Sequence, residues 1–443
     1  MKFWKWRIWQ WRVWRWIERG LHTIAFVFTV GIIAWIVAFV GRPAEKSGSQ
    51  PNFAGGEQQQ KRLAIFLDGT WNSVDSNTNV WRMRALTGTK SADGRPQLVY
   101  YSIGVNGFMG GVFGKGLDEN IRLAYEWLIE NYNEGDEIFI FGFSRGAFTA
   151  RSLAGLVALE GILKAGSPIG IAELFSRYQK GNEESIWTLK DKEAAGDANK
   201  LTDQERWLLK YSQPTKVKVV GVWDTVGSVG LAAGDIPGIS RSKFDYYQTG
   251  LFLPIQNGYH ALAIDEHRRD FAPTLWTVRH RKESGIAGPP PRALSNVEQR
   301  WFVGAHANVG GGYETDLLAQ APLHWMMAKA QAHGLSFRSE VIFDGDAVKA
   351  RIIDSYHSFV EGAYSIVSSP LNRVIGAEPD VQSNGTHTTV NETIDASVFQ
   401  RWQADPTYRP PSLVEWAKRK NVDPVRLQTS IRADDPRVTV LNQ

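Results

Sequence analysis

The run Glu137-Ile138-Phe139-Ile140-Phe141-Gly142-Phe143-Ser144-Arg145-Gly146-Ala147-Phe148-Thr149-Ala150 constrains this chain more than any other. Its apolar start reads as a strand buried on both faces, and Ala147 onward has the composition of a helix. A strand that becomes a helix within so few residues needs a tight, strained turn. In such a turn the middle side chain is pushed outward, while the strand and helix pass so closely that the positions two before and two after must lack bulk. Gly142 and Gly146 occupy those positions, and Ser144 stands at the apex. The spacing predicts a nucleophile elbow with the Ser144 hydroxyl as its reactive group; the alternative is a glycine-flanked helix start capped by Ser144.

Other short apolar runs, Leu63–Leu67, Leu98–Ile103, Lys216–Val222 and Trp301–Gly304, read as further buried strands. Helical periods fill Asp118–Tyr132, Ala147–Leu159, Ile171–Gln179 and Leu317–Ala332. Alternation of this kind predicts an α/β fold, a mostly parallel α/β-hydrolase-like sheet with helices on both faces, over residues 62–335. Residues 181–212 and 231–258 carry few strand signals and are expected to be insertions over the carboxyl edge of the sheet. Residues 336–443 form a polar C-terminal extension whose role is not readable.

A serine hydroxyl is a poor nucleophile until a base takes its proton, so an acid and a histidine should follow on later strand ends. The run Val217–Trp223 ends at Asp224, and Arg300–Gly304 leads to His306 and a loop of three glycines, Gly310 to Gly312. Asp265, in the charged run His260–Arg268, is the competing acid; that run reads as a helix end with an ion-pair network. The oxyanion of an acyl-transfer intermediate needs backbone donors. The amide of Arg145 is one, and Gly69 or Thr70, after the strand Leu63–Leu67, supplies the other. Asp68 could instead serve only to hold that loop. No metal cluster of usable spacing is visible, and no cofactor is expected.

The formal charge is +4, but Lys2, Lys5, Arg7, Arg12, Arg15 and Arg19 face only Glu18 in residues 1–20, so the rest of the chain is one unit negative. A nucleic-acid partner would need a basic face on the folded body and is not expected. There is no cysteine, which excludes disulfides and thiolate metal sites. Residues 1–20 form a basic head with tryptophans repeating in pentads, suited to a headgroup layer. Residues 21–40 are apolar apart from His22, Thr23 and Thr29, long enough for a transmembrane helix, and the exit Ala38–Pro43 makes a poor cleavage site for a signal peptide. Residues 41–61, rich in Gly, Ser, Gln and Pro, read as a flexible linker. The charge asymmetry predicts a single pass through the inner membrane, with the N-terminus cytoplasmic and the body periplasmic or extracellular.

Phe66-Leu67-Asp68-Gly69-Thr70-Trp71-Asn72, the elbow Gly142–Ala147, Asp224-Thr225-Val226, the run His260–Arg268 and His306 with its triple glycine resemble the catalytic domain of type VI secretion phospholipase effectors. The resemblance spans about residues 62–333. It implies an ester hydrolase acting on phospholipid acyl chains, with Ser144, Asp224 and His306 as the matching triad and membrane lipid as substrate; the head and apolar span add the membrane as anchoring surface. Asn308 stands where that family usually carries an acid, so neither its pH dependence nor any calcium sensitivity carries over. The head and anchor are unlike a secreted toxin and suggest a resident membrane enzyme. Two other functions stay open: an esterase on a soluble or cell-wall ester, and an inactive hydrolase fold that acts as a membrane-tethered binding module.

Overall fold

Strand β1 (Arg62–Leu67) is buried along its whole length. Leu63, Ile65 and Leu67 enter one apolar core, while Ala64 and Phe66 enter another on the opposite face. This is the consequence of a two-residue period in a strand covered on both sides. A computed structural model describes residues 59–69, 72–104, 110–181, 183–227, 251–280, 294–314, 317–340, 345–377, 380–382 and 385–434. The other strands of the main sheet are β2 (Gln97–Ser102), β3 (Glu137–Phe143), β4 (Val217–Trp223), β5 (Ile255–Ala263), β6 (Val297–Phe302), β7 (Glu392–Ile394) and β8 (Ile431–Arg432). Their order is β2-β1-β3-β4-β5-β6-β7-β8. Every pairing is parallel except the last, β7 with β8.

Helices cover both faces, as the alternation predicted. On one side α2 (Gly110–Asn131) presents Leu117, Ile121, Ala124 and Leu128 at helical spacing, beside Ala150, Leu153, Ala154 and Val157 of α3 (Arg145–Glu160). On the other, Val80 and Met83 of α1 (Asn79–Leu86) pack with Leu323, Met326 and Ala330 of α8 (Gln320–Ala332) against Phe66, Phe139 and Phe141. The rings of Phe66 and Phe141 stack at 5.2 Å across β1 and β3. Each of these fully buried aromatic rings contributes on the order of 1.5–3 kcal/mol.

Three expectations are corrected. The run His260–Arg268 is not a helix end: its first residues complete β5, and a turn follows. Polar and small residues hide this strand, because Asn257 is satisfied by the Lys218 carbonyl at 2.8 Å and His260 by the Thr225 amide at 3.0 Å.

Residues 181–212 hold α5 (Ile186–Ala194) and α6 (Asp203–Tyr211), which follow α4 (Ile171–Lys180). They do not lie over the carboxyl edge. Trp187 Nε1 donates to the Ala158 carbonyl at 3.0 Å and Ser212 Oγ to that of Glu160 at 2.5 Å, while Arg177 and Glu160 form a buried ion pair. These anchors sit at the end of α3 remote from Ser144, about 20 Å along the helix axis. Of the second expected insertion, 231–250 lie outside the described residues, and its last residues, from Ile255, are the start of β5.

The third correction concerns the membrane. Among the described residues no helix is long and apolar enough to cross a bilayer, so the expected N-terminal transmembrane helix and the single-pass inner-membrane placement built on it are withdrawn, and the fold described is α/β. The segments on which it rested, the head at 1–20, the span at 21–40 and most of the linker at 41–61, lie outside the described residues.

The C-terminal extension adds β7 to the parallel sheet beside β6 and β8 beyond it. Its helices α9 (Ala396–Ala404) and α10 (Pro411–Lys420) bring Val398, Phe399, Leu413 and Trp416 into a third core with Leu262 and Trp301.

Candidate active site

Ser144 links β3 to α3 with φ 58° and ψ −123°. A non-glycine residue held there stores about 1–3 kcal/mol of strain, offset here by close packing of both flanks. A Cβ on Gly142 would lie 2.4 Å from the Gly146 carbonyl oxygen, and one on Gly146 would lie 2.3 Å from the carbonyl oxygens of Leu67 and Asp68. The strand, the helix and the end of β1 therefore converge with no room for a side chain at either glycine. The sheet order reverses between β1 and β3, so the elbow lies at the switch point where open α/β sheets form a crevice.

On the neighbouring strand, Asp224 follows β4 with φ 40°, and His306 opens the short helix α7 (His306–Gly310) after β6. His306 Nδ1 meets Asp224 Oδ2 at 2.5 Å, with the carboxylate fully buried and the imidazole nearly so. In the neutral ring this makes Nδ1 the donor and leaves Nε2 with its lone pair. Nε2 is buried and has no hydrogen-bond partner among the described residues. Phe143, next to Ser144, and Phe271 hold the ring at centroid distances of 4.7 and 5.0 Å, and the His306 amide donates to Glu266 Oε2 at 3.1 Å. Burial pushes the imidazole below its ordinary value against the pull of Asp224. Burial pushes the Asp224 carboxyl up, but the Arg373 charge and the His306 hydrogen bond outweigh it and hold the group well below the usual carboxylate range.

Asp265 is not brought to the histidine. Its Oδ2 accepts from the Gly304 amide at 2.7 Å and from the Tyr408 hydroxyl at 3.1 Å, and burial raises it to about 6. Gly69 runs beside the elbow: a Cβ there would stand 3.1 Å from Ser144 Cβ. Its amide, however, already donates to Asp68 Oδ1 at 2.8 Å. Asp68 also takes the hydroxyls of Thr78 at 2.7 Å and Tyr101 at 2.9 Å, which ties down the loop. Thr70 lies outside the described residues. Arg145 opens α3 as a buried residue, its guanidinium pushed down to about 10 by burial and by the charge of Arg268. Asn308 Oδ1 accepts the amides of Ala305 and Ile353, each at 3.2 Å, so this departure from the family pattern serves the loop's shape.

Three participants escaped sequence reasoning. Glu266 is fully buried between Arg268 and His306, Ser355 donates to its Oε2 at 2.8 Å, and Arg373 grips Asp224. No local pattern marks Arg373, which lies 149 positions from its partner. Among the described residues no group of three or more His, Asp or Glu side chains is placed to hold a metal ion.

Comparison with known proteins bears on the same region. An uncharacterised protein of Saccharomyces cerevisiae, YEL023C, is 25% identical over 392 residues, covering 77% of this chain and 52% of that protein. The chain thus spans about half the length of that relative. An uncharacterised Pseudomonas aeruginosa protein of known crystal structure is similar at 17% identity and TM-score 0.37, over 63% of this chain and 46% of that one. The Tle1 effector, solved bound to the VgrG spike of the type 6 secretion system, is similar at 15% identity and TM-score 0.29, over 61% of this chain and 57% of that one. Residues 61–329, more than half of the chain, match the family described as "T6SS, Phospholipase effector Tle1-like, catalytic domain". The chain therefore belongs to the Tle1-like phospholipase effector family, a family of lipid hydrolases, through its catalytic domain.

Proposed function

We propose that this protein is a serine hydrolase that cleaves the acyl ester bonds of phospholipids through Ser144, His306 and Asp224. The observation that carries the reading is the contact between His306 and Asp224, with Nε2 unpartnered among the described residues, on the same sheet edge as the strained Ser144. In the first half-reaction Ser144 Oγ attacks the ester carbonyl carbon while His306 Nε2 takes the hydroxyl proton. Asp224 orients the ring and stabilises the imidazolium. The tetrahedral intermediate collapses as His306 returns the proton to the leaving alcohol oxygen, which frees the lysolipid and leaves the acyl group on Ser144. Water, activated by the same nitrogen, then releases the fatty acid and restores the serine.

The oxyanion is stabilised by the Arg145 amide, at the positive end of the α3 dipole, together with the loop after β1. Because the Gly69 amide is engaged by Asp68, use of that amide would require the Asp68 contact to break. Removal of one such donor costs about 10² to 10³ in rate.

The test is to incubate the full chain with a panel of phospholipid vesicles and identify products by mass spectrometry. Fatty acid and lysophospholipid in equal amounts are expected. Turnover of short acyl esters without any product from vesicles would move the assignment to an esterase, and no turnover of either would make the body a binding module.

A further inference from the structure

Asp224 receives more than the imidazole. Arg373 Nη1 donates to Oδ1 at 2.6 Å and Nη2 to Oδ2 at 2.9 Å. The Ala263 amide adds a second donor to Oδ1 at 3.0 Å, as His306 does to Oδ2, so both oxygens carry the two donors that their lone pairs allow. The guanidinium is itself locked in place by the carbonyls of Ala263 at 2.7 Å and Phe271 at 2.6 Å. Its side chain is 1% exposed and that of Asp224 0%. Taking both charges out of water costs several kcal/mol per ion. Neutral donors would suffice to orient a carboxylate; a buried guanidinium also changes the charge that the neighbouring imidazole feels.

Arg373 lies beyond the matched residues 61–329. Its segment reaches the histidine loop twice more. The Ile353 amide donates to Asn308 Oδ1 at 3.2 Å, and Ser355 Oγ donates to Glu266 Oε2 at 2.8 Å, the same oxygen that accepts the His306 amide.

We propose that Arg373 is a positioning residue for acyl transfer: its two-pronged grip fixes the Asp224 carboxylate for His306 and offsets part of its negative charge, so that the C-terminal segment completes the active site. This rests on the triad assigned above. Asp224 draws a proton onto His306, and a guanidinium bound to the same carboxylate weakens that pull. The other charged groups that bear on His306 are Glu266, which raises its proton affinity, and Arg268, which lowers it. Both stay in place when Arg373 is replaced. Loss of the Arg373 charge leaves Asp224 uncompensated, so the imidazole holds its proton to higher pH and the base form appears later.

The experiment compares the full chain with Arg373→Gln and Arg373→Lys on a short-chain aryl ester across pH, with rates normalised to the sites that a fluorophosphonate titrates. For Arg373→Gln, kcat falls about tenfold or more with KM little changed, and the acid limb of kcat/KM moves up by about one pH unit. For Arg373→Lys the acid limb stays near the wild-type position while kcat falls about threefold or more, since a single ammonium does not reproduce the bidentate fork. A purely structural ion pair would lower the number of titratable sites and leave the kcat per site and the acid limb unchanged, which overturns the proposal. Should Arg373→Gln fail to fold, Arg373→Lys decides, and a wild-type kcat per site in that variant overturns it. Ser144→Ala is measured alongside: activity persisting there contradicts the triad itself, whereas its loss together with wild-type behaviour of the Arg373 variants contradicts only the role of Arg373.

Discussion

His306 Nδ1 and Asp224 Oδ2 meet at 2.5 Å across the carboxyl end of β5, each carried on the end of a strand that flanks it. The contact sets the tautomer that leaves Nε2 its lone pair, as the proposed base requires. Replacing Asp224 by Asn presents the ring with a donor or acceptor of the wrong kind and removes the charge that stabilises the imidazolium. Asp224→Asn is expected to lower kcat by about 10³ to 10⁴, measured on a short-chain ester, with far-ultraviolet circular dichroism confirming the fold. A loss below tenfold would dismiss Asp224 as the acid.

Asp265 separates the two acids in a second way. Its carboxyl is raised to about 6 by burial, so its ionised form is disfavoured in the folded state. The sign follows directly: the folded state binds the proton more tightly than the unfolded chain, and stability falls as pH rises from the unfolded carboxylate range towards 6. Asp265→Asn keeps an acceptor for the Gly304 amide and removes the penalty. It is expected to retain activity within about threefold of wild type and to gain up to about 3 kcal/mol relative to wild type between pH 4 and 7. Urea unfolding at the two pH values measures this, and a collapse of kcat would reinstate Asp265 as the acid.

The elbow makes a steric prediction. A methyl at Gly146 would stand 2.3 Å from two carbonyl oxygens at the end of β1, and backbone atoms give way far less readily than side chains. Gly146→Ala is expected to cost about 3 kcal/mol or more, read from the denaturant midpoint. Tolerance of this substitution would show that strand and helix are not in contact there.

Acid sensitivity of the reaction follows from His306. The proposed mechanism needs the neutral ring, and burial moves the proton off it at lower pH than usual. The acid limb of kcat/KM is expected below the ordinary imidazole value of about 6.5. A limb above that value would mean that the pull of Asp224 dominates over burial.

The parts of the site legible in the sequence are those in which one strand and its following residues hold the whole signal. Phe141 to Ala147 contains both glycines and the serine, and the apolar runs before Asp224 and His306 end where the chemistry begins. β5 is hidden because Asn257, Gly258 and His260 look like neither a strand nor a core until the Lys218 carbonyl and the Thr225 amide satisfy Asn257 and His260. β7 and β8 are three and two residues long, too short for any periodicity. Arg373 carries no local mark at all, because its meaning lies wholly in a carboxylate that only the fold brings to it.

Everything proposed for this site depends on Ser144 as the nucleophile. The most direct measurement is the mass of the full chain after exposure to a fluorophosphonate, with the modified peptide identified, beside fatty-acid release from phospholipid vesicles. One adduct is expected, on Ser144, with loss of both labelling and release in Ser144→Ala. An adduct elsewhere, or release that survives the substitution, would contradict it.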